Sequence, residues 1–566
     1  MSLKKYIWMV LAITVVFAAL SGCGKKAGDG NDKYIDLSEY YGVQGEGTYG
    51  IVVEGEPLGT AVTVNEKIYL PQESVADGIN SKFFYDKDNN QIRYTTPTDI
   101  ITQDIDDGTN AITYNGEIYL ELTYVMENSD VIYKLEEAPD RIVVFTEMGS
   151  INTYKANSDT KLYKEAGSDS GIMTDIKKEQ TLYLKEYGEE WISVITESGI
   201  GGYVSTESVG EGERIERISG YQGEEYTHIT KEEKICLGWH LMTNSAGNSA
   251  IDEKTENTEG LNVISPTWFS VTDNTGGISS FASGEYVEAA HSKGLEVWAL
   301  INDFEYDDNG NYYIREVLDS TRSRTNLINN IMEEVEKYNI DGINIDFENI
   351  SLEYGQEYVQ FIRELSIECR KKGIVLSADL YVPMSYNQYY GREDIGEVLD
   401  YIIVMGYDEH WGGGDSAGSV ASIGYVRNGI SNTIESVDAD RVINAIPFYT
   451  RIWIETPEDL SDGTGVFVED SVNGNYYLTS RAVGMEAAEQ SLTDNGIEKY
   501  WLEDIGQYYG EYTKDGVLYR IWLEEERSIE LKLEAMEEAG LAGVACWQLG
   551  FEKPEIWSVI QEYLSR

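Results

Sequence analysis

Histidine is nearly absent from this chain, and basic charge and cysteine are in short supply. The four histidines among 566 residues, His228, His240, His291 and His410, include no pair at metal-ligand spacing. A metal-dependent hydrolase such as a wall deacetylase would lack its ligands. Lys and Arg number 43 against 100 Asp and Glu, a formal net charge of −57. Such a surface repels nucleic acid and anionic lipid, which excludes both as main partners. With 42% hydrophobic and 11% aromatic residues, the chain is still not a disordered acidic polymer. Cysteine occurs at positions 23, 236, 369 and 546. Setting aside Cys23 leaves an odd number, so an exported disulfide framework is not indicated, and Cys236 and Cys546 are expected as buried free thiols rather than a bonded pair. No Gly-rich phosphate loop follows any apolar run, which counts against an open doubly wound sheet.

Residues 1–23 read as a targeting segment. Lys4 and Lys5 precede an apolar run, 6–20, that is too short for a stable membrane span. Leu20-Ser21-Gly22-Cys23 resembles a bacterial lipobox. That resemblance implies cleavage before Cys23, lipid on its sulfur, and a protein anchored to the outer face of a bacterial cytoplasmic membrane. Residues 24–49, polar and Gly-rich, are expected to be a tether.

The most informative stretch is Asp341-Gly342-Ile343-Asn344-Ile345-Asp346-Phe347-Glu348. Apolar and polar residues alternate, so a strand would put Ile343, Ile345 and Phe347 on one face and Asn344, Asp346 and Glu348 on the other. Helix-period segments flank it: Leu327, Ile328, Ile331, Met332, Val335 and Tyr338 before, and Tyr358, Phe361, Ile362, Leu365 and Cys369 after. Helix, strand, helix implies a parallel sheet, whose strands are normally apolar on both faces. A polar line there must be paired or must serve chemistry. Two neighbouring carboxyls cannot both ionise cheaply, so one keeps its proton near neutral pH. Glu348, nearest the strand's end, is the natural proton donor to a leaving group, with Asp346 as its charged neighbour.

DGxxxDxE closing a strand resembles the signature of glycoside hydrolase family 18, the chitinase-like (β/α)8 barrels. The wider family pattern is DxxDxDxE, and this chain has Asn344 at the middle acid. That variant resembles the branch of spore-cortex and peptidoglycan N-acetylglucosaminidases. From residue 233 onward, eight short apolar runs alternate with helical patterns: 235–239, 263–269, 295–302, 342–347, 375–382, 402–405, 442–448 and 543–549. The fold class is therefore α/β, a (β/α)8 TIM barrel over 233–566. The strand ends, where barrels carry their chemistry, read Trp239-His240, Trp268, Asn302-Asp303, Glu348, Tyr381, Tyr407-Asp408, Tyr449 and Trp547-Gln548. Aromatic faces with a few hydrogen bonders are what a glycan cleft needs.

Met405-Gly406-Tyr407-Asp408 resembles the family's MxYD strand end, which implies that Tyr407 contacts the substrate acetamido carbonyl. Trp547 matches the indole under the sugar at the cleavage point. Asp408, Asn344 and Tyr449 are expected as further substrate contacts. The SxGG element of chitinases is replaced by Ala299-Leu300-Ile301-Asn302, which weighs against chitin. The resemblance implies substrate-assisted retaining cleavage of β-1,4 links in an N-acetylglucosamine-containing glycan, peptidoglycan before chitin, without cofactor or metal. A non-catalytic glycan-binding barrel is the alternative, disfavoured by the presence of Glu348. A long segment, about 454–541, with a hairpin turning at Lys514-Asp515-Gly516, is expected to wall the cleft.

Before the barrel, Asn65-Glu66-Lys67-Ile68-Tyr69-Leu70 recurs as Asn115-Gly116-Glu117-Ile118-Tyr119-Leu120. This repeat, over 50–148, resembles the copper amine oxidase N-terminal-like stalk module, a small α+β domain; the segment has no His and implies no copper. Residues 151–212 resemble a bacterial SH3-like small β-barrel, with a charged linker from 210 to 232. Expected partners are the cell wall, the glycan, and the membrane through lipid. The expected state is a monomer.

Overall fold

The computed structural model describes residues 33–566 apart from 107, 108, 224, 458–462 and 471–473. The lipobox with Cys23 lies outside the described residues. The chain divides into two compact units, one ending at Glu225 and the other running Tyr226–Arg566.

In the first unit the sequence repeat is a repeat of elements. Lys67–Pro71, Gln72–Gly78, Phe83–Asp86 and Gln91–Thr95 are matched by Glu117–Glu121, Leu122–Glu127, Ile132–Glu136 and Arg141–Phe145. The equivalent strands pair antiparallel with Leu70 opposite Leu120, so the two copies bury the same leucine against each other. A second, seven-stranded sheet spans Gly149 to Arg217 around Leu162, Ile192, Val194 and Val204.

Two expectations fail here. Residues 33–49 are not a tether: Asp36 caps Leu37–Tyr40, Tyr41 is buried, and the Ile35 amide donates to the Ile172 carbonyl at 2.8 Å. The linker expected from 210 is instead the strand Val209–Arg217. It lies at a sheet end and, among the described residues, pairs with Gly149–Ala156 alone, so its sequence needs no apolar run.

In the second unit the eight expected runs are eight parallel strands: β1 Ile235–His240, β2 Val263–Pro266, β3 Glu296–Asn302, β4 Gly342–Asp346, β5 Val375–Tyr381, β6 Tyr401–Met405, β7 Val442–Pro447 and β8 Gly543–Trp547. Each pairs with the next, and β8 returns to β1 with Gly543 opposite Ile235, which closes the barrel. The unit begins before residue 233. The Ile229 amide donates to Asp400 at 2.7 Å and the Lys231 amide to the Tyr401 hydroxyl at 2.8 Å, so 226–232 belongs to the barrel rather than to a linker.

The helix Thr321–Tyr338 delivers the chain to β4. Ser320 caps its start, the expected apolar stripe is buried except for the half-buried Tyr338, and Asn339 ends the helix in the left-handed conformation at φ 55°. Asp341 then clamps the strand's entry, accepting from the Val297 amide at 2.8 Å and from His291 at 2.7 Å. Gly342 is required by packing, since a Cβ there would lie 2.7 Å from the Trp298 ring. Cys236, Cys369 and Cys546 are buried free thiols.

The segment between β7 and β8 forms its own six-stranded antiparallel sheet with the helix Met485–Asp494. The expected hairpin, Gln507–Lys514 with Val517–Leu523, turns at Asp515 and Gly516, both with positive φ.

Candidate active site

The alternation along β4 decides the site. Asn344 and Asp346 point into the barrel, and Glu348 stands just beyond the strand's end. Asn344 is fully buried. Its Oδ1 accepts from Trp239 Nε1 at 3.0 Å and Ser265 Oγ at 3.3 Å, and its Nδ2 donates to Ser377 Oγ at 3.2 Å and Asp379 Oδ1 at 2.8 Å. The indole can only donate, which fixes which end of the amide faces which neighbour. This corrects the expectation of Asn344 as a substrate contact: four side chains on three strands enclose it, and it ties the floor of the site together instead.

Asp346 sits one layer higher, 7% exposed, with its Oδ1 buried and without a hydrogen-bond partner. Burial, then the charges of Glu348, Asp379 and Asp303, hold its carboxyl well above the usual carboxylate range. Glu348 is also raised, by burial first, with Asp303 and Asp408 adding to it. The Tyr381 hydroxyl at the end of β5 donates to Glu348 Oε2 and works the other way, favouring the carboxylate.

The backbone under Glu348 is held from β3. Asp303 accepts from the Glu348 amide at 3.0 Å, the Asn349 amide at 2.8 Å and Asn349 Nδ2 at 2.9 Å. Burial pushes the Asp303 carboxyl up to about 6 despite those donors. The Tyr390 hydroxyl donates to the Phe347 carbonyl at 3.0 Å, and Arg392 donates to the Tyr381 carbonyl at 2.8 Å. Glu348 and its phenol partner are thus fixed through their own main chains.

The opposite side comes from β6, β7 and β8. Tyr407 is 9% exposed and packs edge-on against Tyr449, ring centres 6.1 Å apart. Tyr449 donates to Asp408 Oδ1 at 2.5 Å, and Asp408 turns the chain at φ 58°. Trp547 is half-buried, edge-on to the buried Trp239 at 5.8 Å. Glu348, Asp346, Tyr407, Asp408, Tyr449 and Trp547 therefore all converge on the C-terminal mouth of the barrel. His240 is buried against the Tyr286 hydroxyl at 3.0 Å and pushed down to about 4, so it is neutral near pH 7.

A carboxyl placed to donate a proton, a buried carboxyl beside it, a phenol and a half-buried indole can cleave a glycosidic bond and need no bound ion to do so. The profile of the glycosyl hydrolases family 18 matches residues 269–552, half of the chain. The chain belongs to that family.

Its barrel is that of a glycosidase. YvbX of Bacillus subtilis, described as an uncharacterized glycosylase, is 24% identical over 347 residues, 59% of this chain and 93% of its own. The cortical fragment-lytic enzyme of Bacillus anthracis is 24% identical over 265 residues, 45% of this chain. That match spans 57% of the relative, little more than half its length. The spore cortex-lytic enzyme SleL of Bacillus cereus shares the fold, with 19% identity and a TM-score of 0.50 over 62% of this chain and 78% of that one.

Three residues of this candidate site were not given roles by the sequence. Asp303 and Tyr381 were visible as strand-end residues, but what they hold was not. Asp379 was missed, although Ser377, Asp379 and Tyr381 repeat on β5 the polar alternation of β4.

Proposed function

We propose that the protein is a cell-surface lipoprotein that cleaves β-1,4 links in an N-acetylglucosamine-containing glycan, peptidoglycan before chitin. The observation that carries the reading is the placement of Asp346 and Glu348 two residues apart at one strand end. Asp346 lies beside and below the acid, badly placed to attack the far face of a sugar ring, so the nucleophile is better supplied by the substrate. Glu348 protonates the glycosidic oxygen as the C1–O bond breaks. The 2-acetamido oxygen forms the new bond to C1, and Asp346 as an anion balances the charge on the acetamido nitrogen. Water then opens the ring intermediate, giving its proton to Glu348, and the anomeric configuration is retained. Tyr407 orients the acetamido carbonyl and Trp547 supports the ring.

Peptidoglycan is favoured by the amide at Asn344 and by relatives named for cortex lysis. The repeat module and the β-rich module before the barrel are read as a copper amine oxidase N-terminal-like stalk and an SH3-like domain that set the barrel within the wall, Cys23 as the lipid site, and the protein as a monomer.

Purified peptidoglycan and N-acetylglucosamine oligomers digested side by side test this. The expected products are fragments with N-acetylglucosamine at the new reducing end, the retained anomer appearing first by NMR. Inverted product, or equal cleavage of a de-N-acetylated substrate, overturns the mechanism. Labelled fatty acid should enter the wild-type protein but not Cys23→Ala.

A further inference from the structure

Asp379 is a second buried acid at the bottom of the proposed site, and the reading so far leaves it without a task. It lies on β5, 3% exposed, held by Asn344 Nδ2 at 2.8 Å. Asn344 stands opposite Ser377 and Ile345 opposite Ala378 in the parallel pairing of β4 with β5. Two residues up from Asn344 and Ser377 on the same faces are Asp346 and Asp379, side by side on strands about 5 Å apart. The unpartnered Oδ1 of Asp346 is buried in this same layer.

The titratable groups facing this pair are Glu348 from β4, Asp303 beyond β3, Tyr381 at the end of β5, Tyr407 beyond β6 and Tyr358 on the helix Gly355–Lys372. The charges acting on Asp346 and Asp379 are all acidic. Two buried carboxylates with no cation to balance them cannot both ionise, so one proton stays between them. Asn344, an amide, cannot carry it.

We propose that Asp379 is a positioning residue that shares one proton with Asp346, accepting it when Asp346 must become an anion and returning it when the cycle closes. In the forward step the O–H bond of Asp346 breaks and an O–H bond forms on Asp379; no charge leaves the pair. Asp346 thus turns anionic without exchanging a proton with solvent, at the moment positive charge develops on the substrate. The inference rests on the proposed roles of Asp346 and Glu348.

The contact of Asn344 with Asp379 allows a swap in the full-length protein. In Asp379→Asn, Asp346 loses its like-charged neighbour, so the acidic limb of the kcat profile should move down by about one pH unit. Turnover of 4-nitrophenyl glycosides of N-acetylglucosamine oligomers, or of peptidoglycan if that alone is cut, should fall about tenfold or more. The double variant N344D/D379N returns a carboxyl to Asp346, now from β4 itself instead of β5, and should restore both the limb and most of the turnover. Asn344→Asp alone adds a third acid and should move the limb up; it serves if Asp379→Asn does not fold by circular dichroism. An unmoved limb in the folded single variants, or a swap no better than Asp379→Asn, overturns the proposal. Unchanged turnover in Glu348→Gln and Asp346→Asn would instead overturn the reading beneath it.

Discussion

The Tyr381 hydroxyl, at the end of β5, donates its hydrogen bond to Glu348 Oε2, at the end of β4. A phenol on the acid's outer oxygen favours the ionised carboxyl, while burial favours the protonated one. The two act against each other on the group that must give up a proton.

Tyr381→Phe removes the ionising influence and leaves burial. Glu348 should then hold its proton to higher pH, so the alkaline limb of kcat/KM moves upward, while kcat at the optimum falls because the acid is less firmly aimed. A pH–rate series on wild type and variant checks the sign; a limb that moves downward contradicts the assignment of Glu348 as the acid.

Glu348→Gln keeps the shape and removes the proton. General acid catalysis contributes about 10²–10⁴ in rate, so at least that loss is expected, with the fold intact by circular dichroism. Asp346→Asn should be severely impaired as well. Near-wild-type turnover of a natural glycan by Glu348→Gln would falsify the site.

The barrel should be more stable at mildly acidic than at alkaline pH. Asp303 is pushed up from 3.8 to about 6, and Asp346 and Asp379 are raised well above the same ordinary value, all chiefly by burial. For each, the folded state binds the proton more tightly than the unfolded one, so stability is full below the ordinary value and is lost as pH rises through the folded one. Thermal unfolding of the barrel unit between pH 5 and 8 should show a falling midpoint, with a shallower slope in Asp379→Asn.

Lys532→Ala should destabilise the insertion's attachment without touching the cleft. Lys532 and Glu524 form a fully buried ion pair at 2.9 Å, and Glu524 also accepts from Ser528 Oγ at 2.7 Å. Removing one partner strands a buried charge, at about 3–5 kcal/mol. Replacing both, as in Lys532→Met with Glu524→Gln, should recover much of that in denaturant unfolding. Equal stability of Lys532→Ala and wild type contradicts the pair's burial.

The barrel and the line of groups at its heart follow from the order of amino acids alone. Eight apolar runs between helical stripes leave few ways to bury both faces of a parallel sheet, and a period of two puts Asn344, Asp346 and Glu348 on one face whatever the surroundings. That order also located Tyr407, Tyr449 and Trp547 on one rim, because strand ends in a barrel share a mouth. Segments without an apolar signature went unread: residues 33–49, the edge strand Val209–Arg217 and the clasp at 226–232 are held by backbone hydrogen bonds and single side chains. What each polar group faces is set by the folded arrangement. Asn344 and Asp379 meet at 2.8 Å across 35 residues of chain, and Asp303 reaches Glu348 across 45. Such pairings depend on strand register and barrel closure, so no local pattern encodes them. The same closure buries Asn344 completely and brings Asp379 to the side of Asp346.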